Sequence, residues 1–365
     1  MKILLTNHHL VNYGGTEIFT FELARSLKLL GHEVYIYTRF LGKLEQDLNK
    51  ICVPVTTDLT DYKNIIFDIA HTHHSITALD VRNHFPKLPI FFLSHGYQHF
   101  LEKPPFIDIN ISQYGAVSER VKNYLGTFGI EQSKIHLIYN LVNENLFYPI
   151  SVINSVPKKA LVISTKLSEE IRSNIFDACS KLNIKVTYVG GEFGEVSNFD
   201  LPQLINQSDI VFTLGRGVME TMMCGRVPII LDKPGFDGMV TPENADLLLV
   251  ANYSGKIKQI YASVNNIMKE VLKYSSKNGE RLRYYSLLRF SSKIIPRQLL
   301  KIYEKTINRH DKKKRVNLEL VKFVINSIDA NNFFGYNSIF PLHSKIVRSR
   351  FYKIWRLMQK LKSFK

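Results

Sequence analysis

The sequence predicts a doubly wound α/β fold of two domains in tandem, followed by helices and a basic tail. Three observations predict it. Short apolar runs alternate with helical patterns from residue 2 to residue 139, the alternation stops at a polar, proline-containing stretch, and it restarts at Ala160. Alternation of this kind implies parallel sheets with helices packed on their faces. At 365 residues the chain is also longer than a typical single domain, so two domains are expected.

Taken in order, Ile3–Thr6 reads as a strand and Asn7–Gly15 (NHHLVNYGG) as a polar loop. A helix starts near Thr16, with Phe19, Leu23, Leu27 and Leu30 on one buried face, and Gly31 stops it. Glu33–Thr38 is the next strand, so residues 2–38 form a βαβ unit. The first loop ends in Gly14-Gly15, where a backbone without side chains lets a ligand approach a helix start. By itself the pair could equally be a turn. Further strands are expected at Ile65–Ala70, Ile90–Ser94, Ile109–Ser112 and Ile135–Tyr139, with a helix over Ala116–Tyr124. Most of these strands end on polar or small residues (His71, Ser94-His95-Gly96, Ser112, Asn140), the edge at which parallel sheets bind ligands.

Tyr148–Lys159 carries two prolines and reads as the linker, which sets domains at 1–150 and 157–310 and a tail at 311–365. The second alternation gives a strand at Ala160–Ser164, a helix over Ser168–Leu182, a strand at Lys185–Val189 and a short helix at Leu201–Gln207. Asp209–Asn244 then reads as strand Ile210–Leu214, the turn Gly215-Arg216-Gly217, a two-turn helix ending at Gly225, strand Val227–Leu231 and a glycine-rich loop. Such a turn aims backbone N–H groups and a helix N-terminus at a cleft and so favours an anion. Glu220, read as lying in the helix's first turn, either accepts ligand hydroxyls or simply suits the helix dipole. Beyond Asn252 the chain reads as helical through Ile257–Tyr274 and about Glu280–Ile307.

Composition narrows the class. Cys52, Cys179 and Cys224 form no CxxC pair, which points to a reduced compartment without a disulfide framework. The start is too short in apolar residues for a signal peptide, and no apolar run reaches the length of a membrane span. Net charge is +16, but residues 311–365 hold 13 Lys+Arg against 3 Asp+Glu, a net of +10. The basic excess is therefore mainly a property of the tail.

With these pieces in place, the chain resembles the GT-B glycosyltransferases, in particular the large family 4 of retaining, nucleotide-sugar-dependent enzymes. KILLTNHHLVNYGGTEIFTFELARSLKLLGHEVYIYT is similar to the family's first βαβ unit, DIAHTHH to its His-x-His strand end and LSHG to its His-Gly loop. AVSERVKNYL and IYNLVNENLFYP resemble the segments that close the first domain, and SDIVFTLGRGVMETMMCGRVPII resembles the donor loop of the second. The likeness spans roughly residues 1–305. It implies two Rossmann-like doubly wound domains facing a cleft, with the C-terminal helical basic tail added.

The resemblance also implies roles. Gly14 and Gly15 would bring backbone N–H groups to the donor phosphates or the acceptor, and His95 would touch the transferred sugar or its phosphate. The family binds the diphosphate with an Arg and a Lys six apart; Lys166 and Arg172 match those places with the types swapped, although helix-surface charges are the other reading. Glu220 matches the Glu that binds ribose hydroxyls, and Gly215, Arg216, Gly217 and Thr221 complete the donor loop. The family's Glu eight residues before Glu220 is replaced by Phe212. No metal or other cofactor is implied, because Lys, Arg and helix dipoles neutralise the donor. No D-x-D appears, which argues against the metal-dependent GT-A type, and His71-Thr72-His73-His74 lacks partners at ligand spacing.

In the tail, Val347, Phe351, Ile354, Met358 and Leu361 follow one helical face, and Ser344–Lys365 carries eight Lys/Arg and no acid. That pattern suits an interfacial helix on an anionic membrane; a helix packed on the protein body is the other reading. The expected function is a cytoplasmic, peripheral-membrane glycosyltransferase moving a hexose-type sugar from a nucleotide donor to a lipid-linked or envelope polysaccharide acceptor, with retention. A non-catalytic nucleotide-sugar-binding module and a basic nucleic-acid-binding protein are the alternatives, although no nucleic-acid-binding motif appears.

Overall fold

The computed structural model describes residues 1–165, 167–194 and 196–330. Its strands are β1 (Lys2–Leu10), β2 (Glu33–Leu41), β3 (Val55–Thr56), β4 (Ile69–Thr72), β5 (Ile90–Ser94) and β6 (Gln113–Ala116), then β7 (Ile135–Leu137), β8 (Lys159–Ile163), β9 (Lys185–Val189), β10 (Ile210–Thr213), β11 (Val227–Asp232) and β12 (Gly235–Met239). The helices are α1 (Gly15–Leu29), α2 (Leu44–Lys50), α3 (Ser75–His84), α4 (Glu119–Gly126), α5 (Glu169–Lys181) and α6 (Leu201–Asn206), then α7 (Arg216–Met223), α8 (Ala245–Leu249), α9 (Val264–Val271), α10 (Ser276–Phe290), α11 (Ile295–Arg309) and α12 (Leu318–Ala330).

Two compact units divide the chain, and they interleave along it. One takes residues 1–12, 32–114 and the described residues from Tyr303 onward; the other takes 13–31 and 115–302. These boundaries differ from the sequential 1–150, 157–310 and 311–365 read from the sequence. The C-terminal residues join the first unit through specific bonds that composition does not reveal. The Tyr303 hydroxyl meets His71 Nδ1, Asn110 Nδ2 donates to the Asp311 carbonyl at 2.9 Å, and Ser112 Oγ donates to the Thr306 carbonyl at 3.1 Å. Helix α12 buries Val321, Val324 and Ile328 in the core that α3 shares. The part of the tail expected to form an interfacial helix, residues 344–365, lies outside the described residues.

In the first unit the strands run in the order β3-β2-β1-β4-β5-β6, with β3 through β5 parallel. Strand β1 lies between β2 and β4, with Ile3 opposite Val34 and Ile69. It continues to Leu10, so Asn7–Leu10 of the expected loop is strand, and Asn7 and His8 are buried. Strand β4 begins at Ile69 instead of Ile65. Strand β6 begins at Gln113, because Asn110, at φ +60, breaks the extended run expected at 109–112. Helix α3 is buried on every side from Ser75 to Arg82, so it shows no amphipathic period to read.

The second unit's sheet runs β12-β11-β10-β8-β9, parallel except for β12, which pairs antiparallel with β11. That edge strand stands where a glycine-rich loop was expected. Gly235 and Gly255 are so close that a Cβ on Gly235 would sit 1.9 Å from the Gly255 carbonyl oxygen, so glycine here serves packing. The helix expected from Ile257 begins only at Val264. Asp237 accepts bonds from the backbone N–H groups of Ile257, Lys258 and Gln259 and holds them in a turn. The long helix expected over 280–307 breaks at Ser291-Ser292, where the buried Glu144 carboxylate takes both serine hydroxyls and the Ser292 N–H.

Candidate functional site

The site is built on the C-terminal edge of the second unit's sheet. Strands β8, β10 and β11 are parallel neighbours and end at Ile163, Thr213 and Asp232. A cavity of about 370 Å³ opens at this edge, within the size range of small-ligand sites. Gly14, Gly15, Ser164, Thr165, Asn198, Thr213, Arg216, Gly217, Glu220 and Asp232 are among the residues lining it.

The turn that shapes it is short. Gly215 sits at φ +55, a conformation glycine adopts without strain, and its N–H bonds the Tyr253 carbonyl at 3.0 Å. Gly217 must be glycine for space: a Cβ there would lie 2.3 Å from Thr213 Oγ1. The N–H groups of Gly217 and Val218 bond back to the Leu214 and Gly215 carbonyls at 3.1 and 3.2 Å. Part of the expected anion cradle is thus engaged within the turn. On the opposite wall Gly14 caps α1, and nothing lies within 4 Å of a Cβ built on Gly15, which leaves that backbone open to close approach.

Glu220 lies four residues into α7, one turn beyond the first-turn position expected for it. Its Oε1 is 2.6 Å from Arg216 Nε, and the two side chains are only 5% and 11% exposed. Burial raises the Glu220 carboxyl above its ordinary range, and the Arg216 guanidinium opposes that rise. Arg216 also donates from Nη1 to the Leu141 carbonyl at 3.0 Å, while its buried Nη2 has no partner. Arg216 is therefore held by Glu220 here. Thr221 turns inward, donating its hydroxyl to the Gly217 carbonyl at 2.7 Å, and does not line the cavity.

Ser164, Asp232 and Asn198 are among the cavity residues that escaped sequence reasoning. Ser164 donates its hydroxyl to both oxygens of Asp232, at 2.8 and 2.9 Å. Asn198, 5% exposed, has a buried Nδ2 without a partner. The only signal for Ser164 and Asp232 was position, at or beside the C-terminal ends of strands. Of the proposed diphosphate cations, Lys166 lies outside the described residues, although Thr165 before it lines the cavity. Arg172 is on α5, ion-paired with Glu169 and 5.8 Å from the Phe193 ring centre, and is not among the cavity's lining residues.

His95 belongs to the first unit, at the end of β5. Its Nε2 is hydrogen-bonded to His73 Nδ1 at 2.7 Å, and the His73 ring lies 4.5 Å from that of His71. Burial, with the neighbouring histidines adding to it, holds His71, His73 and His74 well below the ordinary imidazole value; burial and His99 bring His9 to about 4. Neutral rings can share a proton along such a row, as donor to one neighbour and acceptor from the next. Glu102, which sequence reasoning passed over, lies under Gly96 and is raised by burial to about 7. Among the described residues no group of three or more His, Cys, Asp or Glu is arranged to hold a metal ion. No helix among them is long and apolar enough to cross a membrane.

Comparison with known proteins agrees with this architecture. Residues 13–146 match the model of Glycosyltransferase Family 4. Among solved structures, a glycosyltransferase from Rickettsia africae aligns at 19% identity with a TM-score of 0.57, covering 84% of this chain and 98% of its own. HepE of Anabaena, solved with UDP-glucose, aligns at 15% identity and a TM-score of 0.57, covering 84% of this chain and all of its own. WaaG, a glycosyltransferase of lipopolysaccharide biosynthesis, aligns at 11% identity and a TM-score of 0.55, covering 82% and 99%. A search of curated protein sequences gives no match. The fold is that of the GT-B glycosyltransferases. The match over residues 13–146 is to the same family that the sequence motifs resemble.

Proposed function

We propose that this chain moves a hexose-type sugar, with retention of configuration and without a metal, from a nucleotide-sugar donor to a lipid-linked or cell-envelope polysaccharide acceptor. The observation that carries this reading is the second unit's cavity, which Gly14 and the open backbone of Gly15 line together with a glycine turn bearing Arg216 and Glu220. HepE holds UDP-glucose and WaaG serves lipopolysaccharide synthesis, which supports a nucleotide-sugar donor and an envelope acceptor. Arg216 would turn its unpartnered Nη2 to a donor phosphate, Glu220 would accept ribose hydroxyls, and Lys166 and Arg172 would meet the charge that grows on the leaving diphosphate. Gly215 and Gly217 keep the turn tight beneath them. His95 would touch the transferred sugar.

A thermal-shift screen of nucleotide sugars tests the donor. A true donor at 100 times its Kd stabilises the fold by about 2.7 kcal/mol, and a flat response to every nucleotide sugar rejects the reading. Full donor-dependent turnover by the Lys166→Ala, Arg172→Ala double variant removes those two from the mechanism. The sequence of residues 344–365 supports a peripheral position on an anionic membrane. Flotation with anionic liposomes, with and without those residues, tests it, and a DNA-shift arm on the same two proteins tests the nucleic-acid alternative. The absence of the family's acid at Phe212 motivates one second reading, a donor-binding module without turnover. Sugar transfer or donor hydrolysis by the purified protein decides against it.

A further inference from the structure

The family likeness leaves a carboxylate missing at Phe212, and the structure explains why none belongs there. Phe212 is fully buried in mid-strand, packed with Ile210, Ile229 and Leu231 in the second unit's core. Only Leu214 and Gly215 separate β10 from α7, so counting eight residues back from Glu220 lands inside the sheet.

The neighbouring strand brings an acid to the cavity instead. In the β10–β11 register Phe212 faces Ile229 and Thr213 faces Ile230, so Asp232 stands two residues further on, at the sheet's C-terminal edge. There it lines the cavity together with Thr213 and Glu220. Its carboxylate is held in place: Ser164 Oγ donates to both oxygens, and the Lys233 N–H donates to Oδ1 at 2.7 Å. Among the described residues no cation pairs with it, unlike Glu220, which Arg216 engages.

An anionic carboxylate without a cation partner repels phosphate and accepts hydrogen bonds from hydroxyls, with lone pairs to spare after two local donors. We infer that Asp232, oriented by Ser164, is the specificity residue that reads hydroxyls of the transferred sugar, in place of an acid at position 212. The assignment rests on the reading of the cavity as a nucleotide-sugar site.

The test measures binding by calorimetry to two matched pairs, UDP with UDP-glucose and GDP with GDP-mannose. The proteins are the full chain, Asp232→Asn and Ser164→Ala. In the pair the wild-type protein prefers, Asp232→Asn should weaken the nucleotide sugar about tenfold or more, the size of one lost hydrogen bond to a charged group. The free diphosphate should keep its affinity within about twofold. Ser164→Ala, which leaves the carboxylate but frees it to rotate, should weaken the sugar form in the same sense and less. Circular dichroism of each free variant separates misfolding from lost recognition, and Ser164→Ala carries the test if Asp232→Asn does not fold. Equal loss for diphosphate and sugar form would assign Asp232 to the nucleoside and overturn the inference. Unchanged affinity for both would remove Asp232 from recognition. Failure of the wild-type protein to bind any of the four nucleotides would instead strike the donor-site reading, and this assignment with it.

Discussion

The Arg216–Glu220 pair offers the sharpest test of the cavity's electrostatics. The two groups meet at 2.6 Å with side chains 11% and 5% exposed, so water screens them little. At an effective dielectric near 20 the attraction at such contact distances is about 4 kcal/mol. Arg216→Ala removes that attraction and leaves a buried carboxylate already raised by its surroundings. Breaking one side of a buried pair costs about 3–5 kcal/mol, so a loss of that size is expected at pH 7.5.

The loss should also depend on pH, and its sign follows from linkage. Without Arg216 the folded-state value of Glu220 rises further, so its neutral form is favoured in the fold and the cost grows as pH rises above the unfolded carboxylate value. The gap between wild type and Arg216→Ala should therefore narrow between pH 7.5 and pH 5.5. Replacing both residues with Leu removes both charges and should cost far less than the single change. Urea unfolding followed by circular dichroism at the two pH values reads all three proteins. A single-variant loss below about 1 kcal/mol at pH 7.5, or one that ignores pH, would show that the pair is solvated and that this account of the cavity is wrong.

Three further outcomes follow from the packing. Gly217→Ala normally gains up to about 1 kcal/mol in a helix, but its Cβ would collide with Thr213 Oγ1, so a net loss of about 1–3 kcal/mol is expected. Thr213→Ala in the same chain should recover part of it, and a Gly217→Ala protein more stable than wild type would refute the contact. On α12, Ile328→Ala should cost about 2–4 kcal/mol because the side chain is 3% exposed, whereas Asp329→Ala, at 49% exposure beside Arg39, should cost under about 1 kcal/mol. Equal effects in urea unfolding would mean that the helix is held by charge. His71, His73 and His74 are kept neutral in the fold, so stability is intact above pH 6.5 and falls by about 1.4 kcal/mol per unit for each as pH drops below it. Glu102, raised to about 7, opposes this with one group against three, so net acid destabilisation should appear between pH 6.5 and 5. A flat unfolding midpoint across that range would contradict the buried-histidine assignment.

The legible parts of the fold were those whose signal is local. β8, β9, β10 and β11 fall within a residue or two of their expected places because each is a short apolar run bounded by turn residues. α3 was illegible because burial on every side erases its period, and β12 because its glycines read as a loop until Gly255 packs on them. The site divides the same way. Gly14, Gly15, Gly217 and Glu220 stand out as glycines and an acid around helix starts, and the structure gathers them in one cavity. Ser164 and Asp232 carry no local mark, since their importance comes from strand ends that only the sheet's register brings together, and Asn198 enters the cavity from a loop.

Position 212 is where distance along the chain and distance in space part company. A count of eight from Glu220 invites the thought that Phe212→Glu would restore a lost ligand contact. The structure argues the opposite. The Phe212 side chain is fully buried in a cluster with Ile210, Ile229 and Leu231, whose side chains offer neither a cation nor a hydrogen-bond donor. A carboxylate there would be buried without a partner, or neutral at a cost of several kcal/mol, on top of the lost aromatic packing of about 3–5 kcal/mol. Summed, these approach the whole stability of an ordinary domain, about 5–15 kcal/mol. Phe212→Glu should therefore give aggregated or unfolded protein by circular dichroism, while Phe212→Leu folds with a modest loss. A folded Phe212→Glu protein that binds nucleotide sugar more tightly than wild type would reverse the argument and return position 212 to the donor site.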